Sequence, residues 1–204
     1  VKICGNRRPE DIEYAKEADY IGIIVCVPTS PRAVSLDEAA RLFRIASMHA
    51  RTVAVTSSSD FTFLESAAEA LSPDFFQFHF IPPRGFLREA KERLGTGIIG
   101  LLNPEWQAED SLYEGADIII ADTFLSGSAG GTGKVHDWEK SALIRRHFLP
   151  RKFMLSGGLN VLNVIDAVVR VRPDIVDASS GLEEHGFKSR HLVAEFISRA
   201  RSAE

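Results

Sequence analysis

IIIADTFLSGSAGGTGKVHDW, residues 118–138, is the stretch whose reading decides the fold. Three isoleucines, Ile118, Ile119 and Ile120, run into an acid, Asp122, and a loop of small residues with Gly127, Gly130, Gly131 and Gly133 follows. A helix-like pattern resumes near Asp137. A continuous β-branched run is a strand buried on both faces, and such strands belong to parallel sheets covered by helices. Delivering a carboxylate from that strand into a glycine loop is costly unless something polar is met there.

Outward from this stretch the same unit repeats. Candidate strands fall at residues 1–4, 20–25, 52–56, 75–79, 97–102, 117–121, 152–155 and 174–177, eight in all. Helix-like segments fall between them near 9–18, 36–47, 61–71, 84–94, 104–114, 137–147, 160–171 and 189–202. Pro9, Ser35, Pro104 and Asn160 stand where helices would start. Eight βα units in 204 residues leave no room for a second domain, so the expected fold is one α/β domain spanning residues 1–204, a (β/α)8 barrel.

Composition narrows the function. The chain is 45% hydrophobic and 25% charged with a formal net charge of −4, ordinary for a globular protein. The densest basic cluster, Arg145, Arg146, His147, Arg151 and Lys152, sits at a helix end where cations suit the dipole, so nucleic acid is not an expected partner. No apolar run approaches the roughly 20 residues of a membrane span, and the N-terminus lacks a signal peptide's apolar core. The expected location is the cytoplasm, without membrane contact. Cys4 and Cys26 form neither a CxxC pair nor a disulfide framework and are expected as reduced thiols.

A barrel of this kind carries its chemistry at the C-terminal ends of its strands. There the sequence has Cys4-Gly5-Asn6, Pro28-Thr29-Ser30-Pro31-Arg32, Gln77-Phe78-His79, Asp122, Ser156-Gly157-Gly158 and Ser179-Ser180-Gly181. The last two loops suit a phosphate, because glycines admit close backbone approach and short turns into helices present N–H groups. His79 reads as a ligand, an acid or a satisfied strand-end histidine. No His, Cys or carboxylate pattern supports a metal site. Lys2 shares the inward parity of Cys4, and Asp177 on the neighbouring strand is its expected partner.

KICGNRRPED at the N-terminus, TSPRAVS at 29–35, QFH at 77–79, the sixth loop with GGTG, LSGGLNVLNV at 155–164 and DASSGLEEHG at 177–186 together resemble the phosphoribosylanthranilate isomerases of tryptophan biosynthesis. The resemblance spans the chain. It implies an Amadori rearrangement of N-(5-phosphoribosyl)anthranilate to the 1-deoxyribulose 5-phosphate derivative, with no metal or organic cofactor. It also implies Asp122 as general acid, Cys4 as general base and Arg32 as the receiver of the substrate carboxylate, a task suited to a planar fork. His79, Gly131, Gly157, Gly158, Ser179, Ser180 and Gly181 complete the candidate binding residues. Phe80 and Ser189-Arg190 depart from the family pattern. The expected partner is a small phosphosugar, and the expected state is a monomer or homodimer. Two other readings remain: another phosphosugar isomerase or epimerase on the same barrel, and a non-catalytic phosphate-binding barrel.

Overall fold

In the computed structural model, which describes residues 1–102, 110–122 and 138–203, short strands and helices alternate from the first residues onward. The order is β1 (Lys2–Ile3), α1 (Pro9–Ala15), β2 (Tyr20–Val25), β3 (Ala33–Val34), α2 (Leu36–Ala46), β4 (Arg51–Thr56), α3 (Phe61–Leu71), β5 (Phe75–Phe78), α4 (Phe86–Leu94) and β6 (Gly97–Leu102). After a 3-10 turn at Asp110–Tyr113 come β7 (Ile118–Ala121), α5 (Trp138–His147), β8 (Lys152–Leu155), α6 (Val164–Val171) and β9 (Ile175–Ala178). A second 3-10 turn at Ser180–Leu182, the hairpin β10 (Glu183–Glu184) and β11 (Phe187–Lys188), and α7 (Arg190–Ser202) end the chain.

Every pairing in the main sheet is parallel, in the order β1-β9-β8-β7-β6-β5-β4-β2, with β3 beside β2. The sheet closes on itself because β1 pairs with both ends, Lys2 with Tyr20 and with Asp177. That is the expected eight-stranded barrel, with β3 as an addition. Helix starts follow local chemistry: Ser35 caps α2 in a reciprocal box with Glu38, and Asp11 in the first turn of α1 accepts from the backbone N–H groups of Arg7 and Arg8.

Alternation along the strands divides the apolar residues. Val53, Val55, Ile99, Leu101, Ile118, Ile120, Met154 and Ile175 pack together with Cys4 inside the barrel. Their neighbours Ala54, Ile98, Leu102, Ile119, Phe153 and Val176 meet the helices in a larger outer cluster. At the N-terminal rim three carboxylates pin adjacent strand starts: Asp74 accepts from Thr52 N–H at 2.7 Å, Asp117 from Ile98 N–H at 2.8 Å and Asp174 from Phe153 N–H at 2.9 Å. These acids are engaged in structure, which leaves chemistry to the opposite rim.

Two expectations change in detail, and the departure at Phe80 finds its place in the packing. Of the helix expected at 104–114, the described part is the 3-10 turn at Asp110–Tyr113, and the remainder lies outside the described residues, as does Pro104. The helix expected from Asn160 begins at Val164, because Asn160 and Asn163 spend their side chains on the loop before it. Phe80 packs edge-on against Phe78 and Phe86, with ring centroids 5.9 and 5.3 Å apart, so its bulk extends an aromatic cluster beneath the fourth barrel loop.

Candidate active site

Cys4 follows β1 directly, and its N–H continues the ladder to Ala178 O at 2.9 Å. Its side chain enters the barrel because Gly22 on β2 has none: a Cβ at Gly22 would stand 2.9 Å from Cys4 Sγ and 3.1 Å from Lys2 Cε. Below it, fully buried Lys2 donates to Asp177 Oδ1 at 3.0 Å, the expected pair, and Ser156 Oγ donates to Asp177 Oδ2 at 3.1 Å. Burial would draw the Lys2 ammonium down, but Asp177 and Cys4 outweigh it and hold its pKa above the ordinary lysine value. Burial pushes the Cys4 thiol up, against the opposing pull of the Lys2 and Lys188 cations. Lys2, one layer beneath it, and Lys188 are the cations that favour its thiolate.

The loops above Cys4 converge through a second glycine. Gly5 has φ +74°, and a Cβ there would meet Arg32 Cδ and Ser179 Oγ, each at 2.8 Å. Arg32, from the loop after β2, and Ser179, from the loop after β9, thus lie against the residue that follows the thiol. Ser179 Oγ is buried without a hydrogen-bond partner among the described residues. Asn6 fastens this corner, with Nδ2 donating to Ile3 O at 2.8 Å and Gly22 O at 3.0 Å.

Arg32 is already engaged. Its Nε and Nη2 donate to the two carboxylate oxygens of Glu183 at 2.8 Å each, and Lys188 Nζ donates to Glu183 Oε1 at 2.7 Å and to Ser179 O at 3.2 Å. Burial alone would raise the Glu183 carboxyl, but Arg32 and Lys188 hold it below the ordinary carboxylate value. Glu183, Lys188 and Gly22 are residues that the sequence did not single out. Only Gly22 carried a local signal, a glycine inside an otherwise β-branched strand.

The two candidate phosphate loops touch. After β8, Gly157 and Gly158 have φ +88° and +71°, and Gly158 O accepts from Asn160 Nδ2 at 3.2 Å and Asn163 Nδ2 at 3.0 Å. After β9, a Cβ on Gly181 would fall 2.3 Å from Leu159 O, so only glycine lets the two loops close. Ser180 opens the short 3-10 turn beside them and is exposed.

Asp122 directly follows β7, is half-buried, and shares the inward parity of Ile118 and Ile120. From β7 to β1 the sheet passes through β8 and β9, so Asp122 and Cys4 stand on either side of the two glycine loops. His79 follows β5 and donates its N–H to Thr56 O at 2.8 Å. It belongs to the same rim, two strands from the one that leads to Arg32. Gly131 lies outside the described residues. Both cysteines are free, Cys4 buried and Cys26 exposed. Among the described residues no group of three His, Cys, Asp or Glu side chains could hold a metal ion, and no helix is long and apolar enough to cross a membrane.

A (β/α)8 barrel with a buried thiol, an acid directly after β7 and touching glycine loops on its C-terminal rim fits a class: barrel enzymes that handle small phosphorylated substrates. The particular family follows from comparison. Residues 1–199 match the family model described as N-(5'-phosphoribosyl)anthranilate isomerase. The isomerase of Methanothrix thermoacetophila is 34% identical, the match covering 100% of this chain and 99% of the relative. That of Parvibaculum lavamentivorans is 37% identical over 100% of this chain and 98% of the relative. The solved phosphoribosyl anthranilate isomerase of Thermotoga maritima superposes with a TM-score of 0.83 at 30% identity, covering 99% and 98% of the two chains. A solved isomerase in complex with reduced 1-(o-carboxyphenylamino)-1-deoxyribulose 5-phosphate gives 0.80 at 28% identity, covering 99% and 98%. The chain belongs to the N-(5'-phosphoribosyl)anthranilate isomerase family and is an isomerase of tryptophan biosynthesis.

Proposed function

We propose that this chain rearranges N-(5'-phosphoribosyl)anthranilate by paired acid–base catalysis, with Asp122 as the acid and Cys4 as the base. Asp122 gives a proton to the furanose ring oxygen as its bond to C1′ breaks, which opens the ring to an iminium between C1′ and the anthranilate nitrogen. Cys4, as thiolate, removes the C2′ proton, and those electrons neutralise the iminium to give an enolamine. Tautomerisation moves a proton from the C2′ hydroxyl to C1′, leaving the 1-amino-1-deoxyketose. The product is an isomer of the substrate, and the reaction itself needs no redox partner.

The observation that carries this reading is the convergence at Gly5, where the thiol's neighbour meets both Arg32 and Ser179 at a distance that only glycine permits. Arg32 would receive the anthranilate carboxylate there. The touching loops at Gly157, Gly158, Ser179, Ser180 and Gly181 would receive the phosphate. The ribose then spans the rim between Cys4 and Asp122. The raised thiol requires that Cys4 lose its proton before it acts, and Lys2 favours that loss. His79 and Gly131 are secondary contacts in this reading. A cytoplasmic location accords with a biosynthetic enzyme. For assembly, the reading is a monomer or homodimer, and one solved relative is titled as monomers generated from a dimeric isomerase of Thermotoga maritima.

The test is direct. Purified protein added to freshly made phosphoribosylanthranilate should consume its fluorescence in a saturable way and yield a product of unchanged mass. No consumption above the spontaneous rate would refute the proposed activity.

A further inference from the structure

We propose that Glu183 is a positioning residue for Arg32: it grips the side edge of the guanidinium and turns the end-on pair of N–H groups toward the substrate carboxylate. This rests on the reading that Arg32 receives that carboxylate. A guanidinium carries five N–H donors in a rigid fork. Glu183 takes the Nε–H and one Nη2–H, each at 2.8 Å, so both Nη1–H groups and the second Nη2–H stay available for a second, planar partner. An arginine fixed in this way has surrendered its rotamer freedom before substrate arrives, and that ordering no longer weakens binding.

A carboxylate beside Arg32 would ordinarily repel the incoming one. Lys188 removes that objection. Its side chain is fully buried and its Nζ lies 2.7 Å from Glu183 Oε1, so two cations share one carboxylate and the cluster keeps one net positive charge. Glu183 and Lys188 face each other across the β10–β11 hairpin, whose turn residues His185 and Gly186 have φ +51° and +79°, the twist that two-residue hairpins need. The hairpin is latched to the barrel. Arg7 donates to Gly186 O and, at 2.9 Å, to Pro31 O, while the Arg7 and Arg8 guanidinium groups sit 4.7 and 3.9 Å from the Phe187 ring centre. The hairpin that carries Glu183 is therefore held by the loop after β1, which Arg7 also ties to the loop after β2.

The test is a double-mutant cycle on the intact enzyme, read as KM against kcat with melting temperatures alongside. Glu183→Gln should raise KM by about tenfold and change kcat by less than about threefold, because the guanidinium loses its fixed orientation but the acid and base do not. In an Arg32→Ala background the same change should add nothing. Competitive inhibition by inorganic phosphate should be unaltered in Glu183→Gln and in Arg32→Ala, both of which keep Lys188 on Ser179 O. If Arg32→Ala raises KM and Glu183→Gln leaves it at the parent value, or if the two effects multiply in the double variant, the positioning role is overturned while the carboxylate reading stands. A flat KM in Arg32→Ala would overturn both. Should Glu183→Gln unfold because Lys188 is left without its counter-charge, Glu183→Gln with Lys188→Met removes both charges and the same KM ratio is read.

Discussion

Gly22→Ala separates the placement of the thiol from the stability of the barrel. The added Cβ would lie 2.9 Å from Cys4 Sγ, 3.1 Å from Lys2 Cε and 3.3 Å from Cys4 Cα. Ordinary contacts begin near 3.5–4.0 Å, so one or more of these atoms must move by about 0.5–1 Å. Overpacking of this size costs about 1–3 kcal/mol, while loss of glycine's freedom in the unfolded chain returns about 0.4–1 kcal/mol. The net loss is about 0–2.5 kcal/mol, or at most about 10 °C in Tm for a chain of this length. Activity should suffer more, since displacing a reacting group by about 1 Å can cost about 10²-fold. The assay is kcat by substrate fluorescence together with thermal melting. Adding Cys4→Ala should restore part of the melting temperature, because the nearest of the three contacts is then gone. A Gly22→Ala enzyme with native kcat, or one whose loss is accounted for by unfolding, would refute the claim that this glycine exists to seat the thiol.

Other consequences are open to simpler measurements. Arg32→Ala should raise KM far more than it lowers kcat, because a carboxylate held alike in ground and transition states contributes uniform binding; steady-state kinetics decide it. Gly181→Ala should weaken competitive inhibition by inorganic phosphate, since its Cβ would fall 2.3 Å from Leu159 O and force the two loops apart; unchanged inhibition would remove those loops from the phosphate site. Acid stability should depend on Glu183. Its carboxyl lies below its ordinary value of 4.5 in the folded chain, so its contribution is present above that pH and lost as pH falls through the lowered pKa. Glu183→Gln should flatten the fall of Tm as pH drops below 4.5, and an unaltered slope would contradict the ion cluster.

Much of this was legible along the chain because barrel strands repeat with a short period. The run Ile118, Ile120 gives the strand and its inward face, and Lys2 with Cys4 does the same for β1, including the pairing of Lys2 with Asp177. What the chain concealed depends on distant partners. Glu183 lies 151 residues from Arg32, and a hairpin of two-residue strands shows no alternation to read. The helix expected at Asn160 fails for a local reason: the two asparagines bind the carbonyl of Gly158, and the helix starts only beyond them. The glycines were visible, but which atoms they admit was not.

The most direct test of the account is kcat and Tm for Cys4→Ser and Asp122→Asn. A general acid or base contributes about 10²–10⁴-fold, so each variant should lose at least that much turnover while melting close to the parent. Cys4→Ser is the sharper of the two, since it keeps a small hydrogen-bonding group but offers a hydroxyl that hardly ionises near neutral pH. In the parent, the raised thiol predicts turnover that climbs with pH on the basic side as Cys4 loses its proton, a limb that Cys4→Ser should not share. Near-native turnover in either variant, or a loss matched by unfolding, would contradict the assignment of Cys4 and Asp122 as the catalytic pair.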